Sequence, residues 1–199
     1  MADMTQHSAF GGHRPSFSDL VAALNGRWHR QALLTFLVIV LAHWAEHLSQ
    51  AFQIWGLGWT RPESRGVLGL AFPWLVTSEW LHYGYAIAML GGLVLLRPGF
   101  VGRARTWWDI AIVLQFWHHI EHILLLFQVA VLHHPLFGSA VPTSIAQLAF
   151  PRVELHLFYN AIVTIPMLIA MLYHRQPSAE DARQMTCNCA VRGLATATT

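Results

Sequence analysis

The chain has 199 residues, 55% hydrophobic and 11% charged, with a formal net charge of +2. Soluble domains carry about 25% charged residues, so this composition excludes a disordered chain and a strongly charged nucleic-acid binder. With Cys187 and Cys189 as the two cysteines, it also excludes a secreted disulfide scaffold. What remains is an integral membrane protein, one with thirteen histidines, nine tryptophans and, in place of any lysine, twelve arginines.

In chain order, residues 1–30 form a polar segment without the apolar stretch of a cleavable signal, so the N-terminus is expected to stay. Ser16 or Ser18 is placed to cap a short helix reaching Leu24. Phe17, Leu20, Val21 and Leu24 then form an apolar stripe suited to the inner membrane surface. Four apolar segments follow, Gln31–Trp55, Pro73–Leu96, Trp107–Leu132 and Pro151–Tyr173, each near the roughly 20 helical residues needed to cross a bilayer. They predict an all-α, multi-pass membrane domain over 31–173. Residues 174–199 read as a flexible cytoplasmic tail.

Arginines orient the spans. Arg14, Arg27 and Arg30, then Arg97, Arg103 and Arg105, then Arg175, Arg183 and Arg192 fall on one side, against Arg61, Arg65 and Arg152 on the other. The positive-inside bias places both termini in the cytoplasm of a cell-membrane protein.

The chain also repeats itself. His43 to Gln53, HWAEHLSQAFQ, and His118 to Gln128, HHIEHILLLFQ, share His, Glu, His, Phe and Gln at the same relative positions, 75 residues apart. Leu81-His82 and Tyr85 return as Leu155-His156 and Tyr159 at an offset of 74, each set preceded by a Phe-Pro pair, Phe72-Pro73 and Phe150-Pro151, whereas Glu79 and Glu154 match at 75. A slip or bulge must separate the two registers. Two hairpins, about 31–96 and 107–173, then build an up-down-up-down four-helix bundle.

Ionisable groups inside a bilayer cost on the order of 3 kcal/mol each and are functional candidates by default. Four of the six glutamates fall within the spans, Glu46, Glu79, Glu121 and Glu154, together with His43, His47, His82, His118, His122 and His156. His43, Glu46 and His47 share one helix face, and His118, Glu121 and His122 share its counterpart. His119 points about 100° away. At about 1.5 Å per residue all ten groups fall in a slab roughly 17 to 25 Å above the inner face.

Imidazole and carboxylate suit iron, copper or zinc, and ten ligands exceed the needs of one ion. The expectation is therefore an intramembrane di-metal centre, of iron or copper, ligated by His43, Glu46, His47, Glu79, His82, His118, Glu121, His122, Glu154 and His156. Gln50, Gln53, Gln115, Tyr83 and Tyr159 are placed to orient the ligands. Such a centre would serve a metal-dependent membrane oxidoreductase acting on a lipophilic or small substrate, or a quinol, with a membrane redox partner or a second copy as partner and no nucleic acid. In chemistry the layer resembles the ferritin-like carboxylate bundles, although of their Glu-x-x-His spacing only Glu79 and His82 carry the order.

Three other readings compete. Haem b could be held axially by facing histidines, with Trp44, Trp80, Trp117, Phe52 and Phe127 lining its pocket. A proton or metal-ion transporter would need a polar path, which the apolar stretches 32–42 and 86–96 interrupt. A structural subunit would use the Glu and His groups as interhelical bonds. His133 and His134 read as interfacial, and His7, His13, His29 and His174 as solvated. Cys187-x-Cys189 offers soft ligands for Cu(I) or zinc on the reducing side.

Overall fold

The computed structural model describes residues 16–187 and 189; Arg14, Arg192, His7 and His13 lie outside the described residues. Eight α-helices follow one another: α1 Phe17–Asn25, α2 His29–Trp55, α3 Gly66–Ala71, α4 Pro73–Thr77, α5 Glu79–Leu96, α6 Gly102–Phe127, α7 Arg152–Arg175 and α8 Ala179–Gln184. Short 3-10 turns at Arg97–Gly99 and Ala146–Leu148 and a π turn at Gln128–Leu132 complete the described elements. Ser16 caps α1 reciprocally with Asp19, which satisfies two of the N–H groups a helix start leaves open.

Four helices, α2, α5, α6 and α7, are long and apolar enough to cross a membrane. They pack as a ring, α6 against both α5 and α7, and α2 closing against α7 and α5. Outward faces are apolar: Val38 and Leu41 on α2, Val113 and Phe116 on α6, and Ile165 and Leu172 on α7 are all exposed. In water that would be a defect. For a helix of this length it is the face a lipid tail covers.

The interior divides into two halves. One is dry: Leu33, Phe36 and Val40 of α2 meet Leu93 and Leu96 of α5, Trp108 and Ala111 of α6, and Met167 and Ala170 of α7. Trp108 is fully buried because its indole N–H donates to the Leu93 carbonyl at 2.7 Å, which removes the cost of an unpaired donor. Gly92 lies against the Phe36 ring, where any side chain would collide. The other half holds the histidines.

The second span differs from its expected limits. Pro73 begins α4, which stops at Thr77, and Ser78 in extended conformation starts a new helix at Glu79. On the other side of the molecule α7 runs unbroken from Arg152. The break at Ser78 falls between Phe72-Pro73, which lies 78 residues before Phe150-Pro151, and Leu81-His82, which lies 74 before Leu155-His156, so the Phe-Pro pairs head different elements.

The C-terminal segment also departs from expectation. Residues 179–184 form α8, capped by Ser178, and Cys187 is buried. His29 and His174, expected in solvent, are 0% and 2% exposed. The chain returns under the bundle because Asn25 joins three segments: its amide donates to the Leu95 carbonyl at 2.8 Å, its Oδ1 accepts from the Gly99 N–H, and its carbonyl accepts from Thr186.

Candidate metal centre

Each histidine of the site occupies a helix position that faces the bundle interior, and the ring helices bring six together. His43 and His47 come from α2, His82 from α5, His118 and His122 from α6, and His156 from α7. Ring centroids connect them in a continuous cluster: His43 to His47 4.5 Å, His47 to His156 5.0 Å, His156 to His122 5.5 Å, His118 to His122 4.6 Å and His82 to His122 6.2 Å. No single helix could gather them. They meet because α2 and α6 each present one i, i+4 pair and α5 and α7 each add one ring.

Three of the outward nitrogens are fixed, while Nδ1 of His118 and of His122 are buried without a partner. His82 Nδ1 donates to the Ser78 carbonyl at 2.9 Å, and His156 Nδ1 donates to the Arg152 carbonyl at 2.7 Å, in each case four residues back on the same helix. His47 Nδ1 donates to Gln50 Oε1 at 2.9 Å. A carbonyl can only accept, so in these rings the proton sits on Nδ1 and Nε2 keeps its lone pair. That is the arrangement by which a ligating imidazole is oriented.

The Nε2 atoms converge. Nε2 atoms of His43 and His47 lie 3.1 Å apart, and those of His118 and His122 lie 3.2 Å apart. Metal–nitrogen bonds of about 2.0 to 2.1 Å in tetrahedral geometry place ligand atoms about 3.3 to 3.4 Å apart. His118, His122 and His156 bring ligand atoms within 4.8 Å of one another, all buried. His156 Nε2 is buried without a hydrogen-bond partner, a cost that an ion would relieve.

The four glutamates are placed elsewhere. Glu46 accepts the N–H groups of Val67, Leu68 and Gly69 at 3.0 to 3.1 Å, closing the start of α3. Glu121 accepts the Ala146 N–H at 3.2 Å, at the start of the 3-10 turn in the loop between α6 and α7. Glu79 and Arg152 form a fork of two bonds at 2.6 and 2.9 Å, and Glu154 pairs with Arg61. The carboxylates thus hold loops and helix ends around the cluster, while the imidazoles supply its centre.

The supporting residues divide in the same way. Gln50 holds His47, as above. Gln53 clamps Gly66, donating to its carbonyl and accepting its N–H; Gly66 has φ +75, a conformation that favours glycine. Gln128 performs the equivalent task on the other loop, donating to the Thr143 carbonyl and accepting from Thr143 and Leu136. That role was not read from the sequence, although Gln128 closes the repeated motif. Gln115 donates to the Ala86 carbonyl at 3.4 Å, Tyr83 stacks on His119 outside the cluster, and Tyr159 accepts from the Trp117 indole.

Compared with family models, curated proteins and solved structures, the chain gives no match. The site therefore stands on its geometry.

A cavity of about 150 Å³ opens beside the first three histidines, its polar side lined by His43, Glu46, His47, Gln50 and His82 and its apolar side by Leu68, Leu75, Val76, Leu81 and Tyr85. Pockets for drug-sized ligands run to about 300–1,000 Å³. The space suits a small or slender substrate, not a macrocycle. Of the aromatic residues named for a haem pocket, Trp80 and Phe52 are exposed on the outer surface, and Trp44 is bonded to Thr164.

Proposed function

We propose that this chain is an integral membrane protein whose six buried histidines hold a di-metal centre, most simply copper, for redox chemistry on a small or lipophilic substrate such as a quinol. The observation that carries this reading is the convergence of Nε2 atoms, with three proton positions fixed on Nδ1 and the His118, His122 and His156 ligand atoms within 4.8 Å. Six neutral imidazoles bring no charge to offset an ion. Burying charge in low dielectric is costly, so the Cu(I) state is favoured over ions that are always divalent, and imidazole suits copper in both states. Iron is the second choice.

The same contacts support a tandem repeat. Glu46 and Glu121 hold loop N–H groups, Gln53 and Gln128 clamp loop backbones, and His82 and His156 donate to the carbonyl four residues back. An up-down-up-down course is supported by the dry core, which draws on the first halves of α2 and α6 and the last halves of α5 and α7. With termini in the cytoplasm, the centre lies in the outer half of the membrane beneath the two clamped loops. The dry core below it favours a closed site over a transport path. Substrate enters through the cavity at His43 and His82, whose apolar walls suit a molecule arriving from the lipid.

The test is elemental analysis and an absorption spectrum of the full chain purified in detergent and loaded with copper or iron. About two ions per chain with nitrogen ligation and no Soret band supports the reading, and His118→Ala with His122→Ala should remove these nitrogen-ligated ions. A Soret band, or folded protein that takes up neither metal, would overturn it.

A further inference from the structure

A second cluster of metal-binding side chains sits at the opposite end of the bundle. His174 closes α7, about 27 Å along that helix from His156 at 1.5 Å per residue, with the dry core between. Cys187 Sγ lies 3.4 Å from His174 Nε2. Cys189 joins them, the three ligand atoms falling within 4.8 Å of one another. Both cysteines are free thiols.

This cluster is built rather than incidental. His174 is 2% and Cys187 8% exposed, and Thr186, beside Cys187, is bonded to the Asn25 carbonyl. His29 stands edge-on to His174 at 5.0 Å, with its own Nδ1 donating to the Leu24 carbonyl. His174 Nδ1 and His29 Nε2 are buried without hydrogen-bond partners. Burial of polar nitrogens on these terms is unfavourable, and little in the composition of 176–189 would drive a core there. The chain nevertheless folds back to place two sulfurs against one imidazole.

We propose that Cys187, Cys189 and His174 form a second metal site, separate from the histidine centre, for a thiophilic closed-shell ion, Cu(I) or Zn²⁺. Two thiolates and an imidazole are the soft donor set such ions select. Bonds of about 2.3 Å to sulfur and 2.0 Å to nitrogen give a tetrahedral edge of about 3.5 Å, close to the 3.4 Å between Cys187 and His174. Three protein ligands leave one position open, the feature of sites that exchange a ligand rather than of closed structural sites. Arg27, Arg30, Arg97, Arg103 and Arg105 crowd this end of the chain's spans, which on the positive-inside rule is the reducing side, where thiols persist.

The experiment uses the full chain in detergent under anaerobic, thiol-reducing conditions, titrated separately with Cu(I) and Zn²⁺ against a chromogenic chelator. One equivalent should bind with sulfur scattering at about 2.3 Å in X-ray absorption, and bound ion should protect both thiols from alkylation. C187S/C189S should lose that equivalent, its affinity falling more than ~100-fold, beyond the ~10–100-fold of an outer-shell change. Metal uptake by the central histidines should be unchanged in that variant, which doubles as its folding control. Tight binding of either ion with sulfur ligation supports the proposal and identifies the ion. Absence of sulfur scattering, alkylation unaffected by metal, or a Cys187–Cys189 disulfide that persists under reduction would overturn it.

Discussion

The His43 ring lies flat on the Tyr85 ring, centroids 3.7 Å apart and planes 14° from parallel. His118 and Tyr159 also meet, at 4.4 Å but tilted by 36°. In both cases the tyrosine belongs to the helix that also supplies the single histidine, His82 or His156. Each half thus locks the first ring of its histidine pair by an aromatic face from its partner helix, which sets the ring plane without occupying a nitrogen.

From this arrangement Tyr85→Phe should keep the metal affinity of the central site, because the stacking face is retained. Tyr85→Ala should weaken it about 10–100-fold, as loss of an orienting group does. Competitive metal titration of both variants checks this; equal affinities in the two would refute a positioning role.

The glutamates give a sharper division. Glu46→Gln and Glu121→Gln exchange charge-assisted bonds to loop N–H groups for neutral ones, and should destabilise by about 1–2 kcal/mol each. Metal stoichiometry should stay at the wild-type value. Loss of one ion per substitution would instead make these carboxylates ligands.

Two arginines near the outer loops should behave differently. Glu79 is 9% exposed in its side chain and paired with Arg152, whereas Glu154 and Arg61 are 27% and 55% exposed. Arg152→Ala leaves a buried charge unpaired and should cost about 3–5 kcal/mol. Arg61→Ala should cost about 0–1 kcal/mol. Unfolding of the two variants in detergent, compared side by side, distinguishes them.

Gly92 tests the dry half. Gly92→Leu drives a side chain into the Phe36 ring and should destabilise by about 1–3 kcal/mol, as overpacking does, without altering metal content. An unchanged unfolding midpoint would mean that α2 and α5 can move apart freely.

Metal removal should be visible in stability. An ion held at 100 times its dissociation constant contributes about 2.7 kcal/mol, so chelation should lower the wild-type midpoint by roughly 5–10 °C at about 2–4 °C per kcal/mol. With C187S/C189S added so that the histidines alone hold metal, His118→Ala with His122→Ala should show no response to the chelator.

Local pattern carried much of this. Span existence, the i, i+4 pairing of His43 with His47 and of His118 with His122, and the exclusion of His119 all follow from helix periodicity, which any helix must obey. The break at Ser78 does not: Pro73 to Leu96 reads as one span, and α5 starts afresh because Ser78 is extended and its Oγ accepts the Leu81 N–H. Glutamate placement was equally hidden, since a carboxylate on the histidine face can turn to a loop N–H as readily as to an ion.

By itself, then, the sequence determined a helical chain with four segments long and apolar enough to cross a membrane and histidines recurring along them, because length, apolarity and period are properties of each helix alone. Tertiary structure decided which polar groups meet. It gave the centre to six imidazoles, whose Nε2 atoms reach across the bundle while Nδ1 of His47, His82 and His156 is tied to its own helix. It turned four carboxylates outward to backbone N–H groups and arginines, and it folded Cys187 onto His174. Such choices depend on distances between segments far apart in the chain, and no periodicity encodes them.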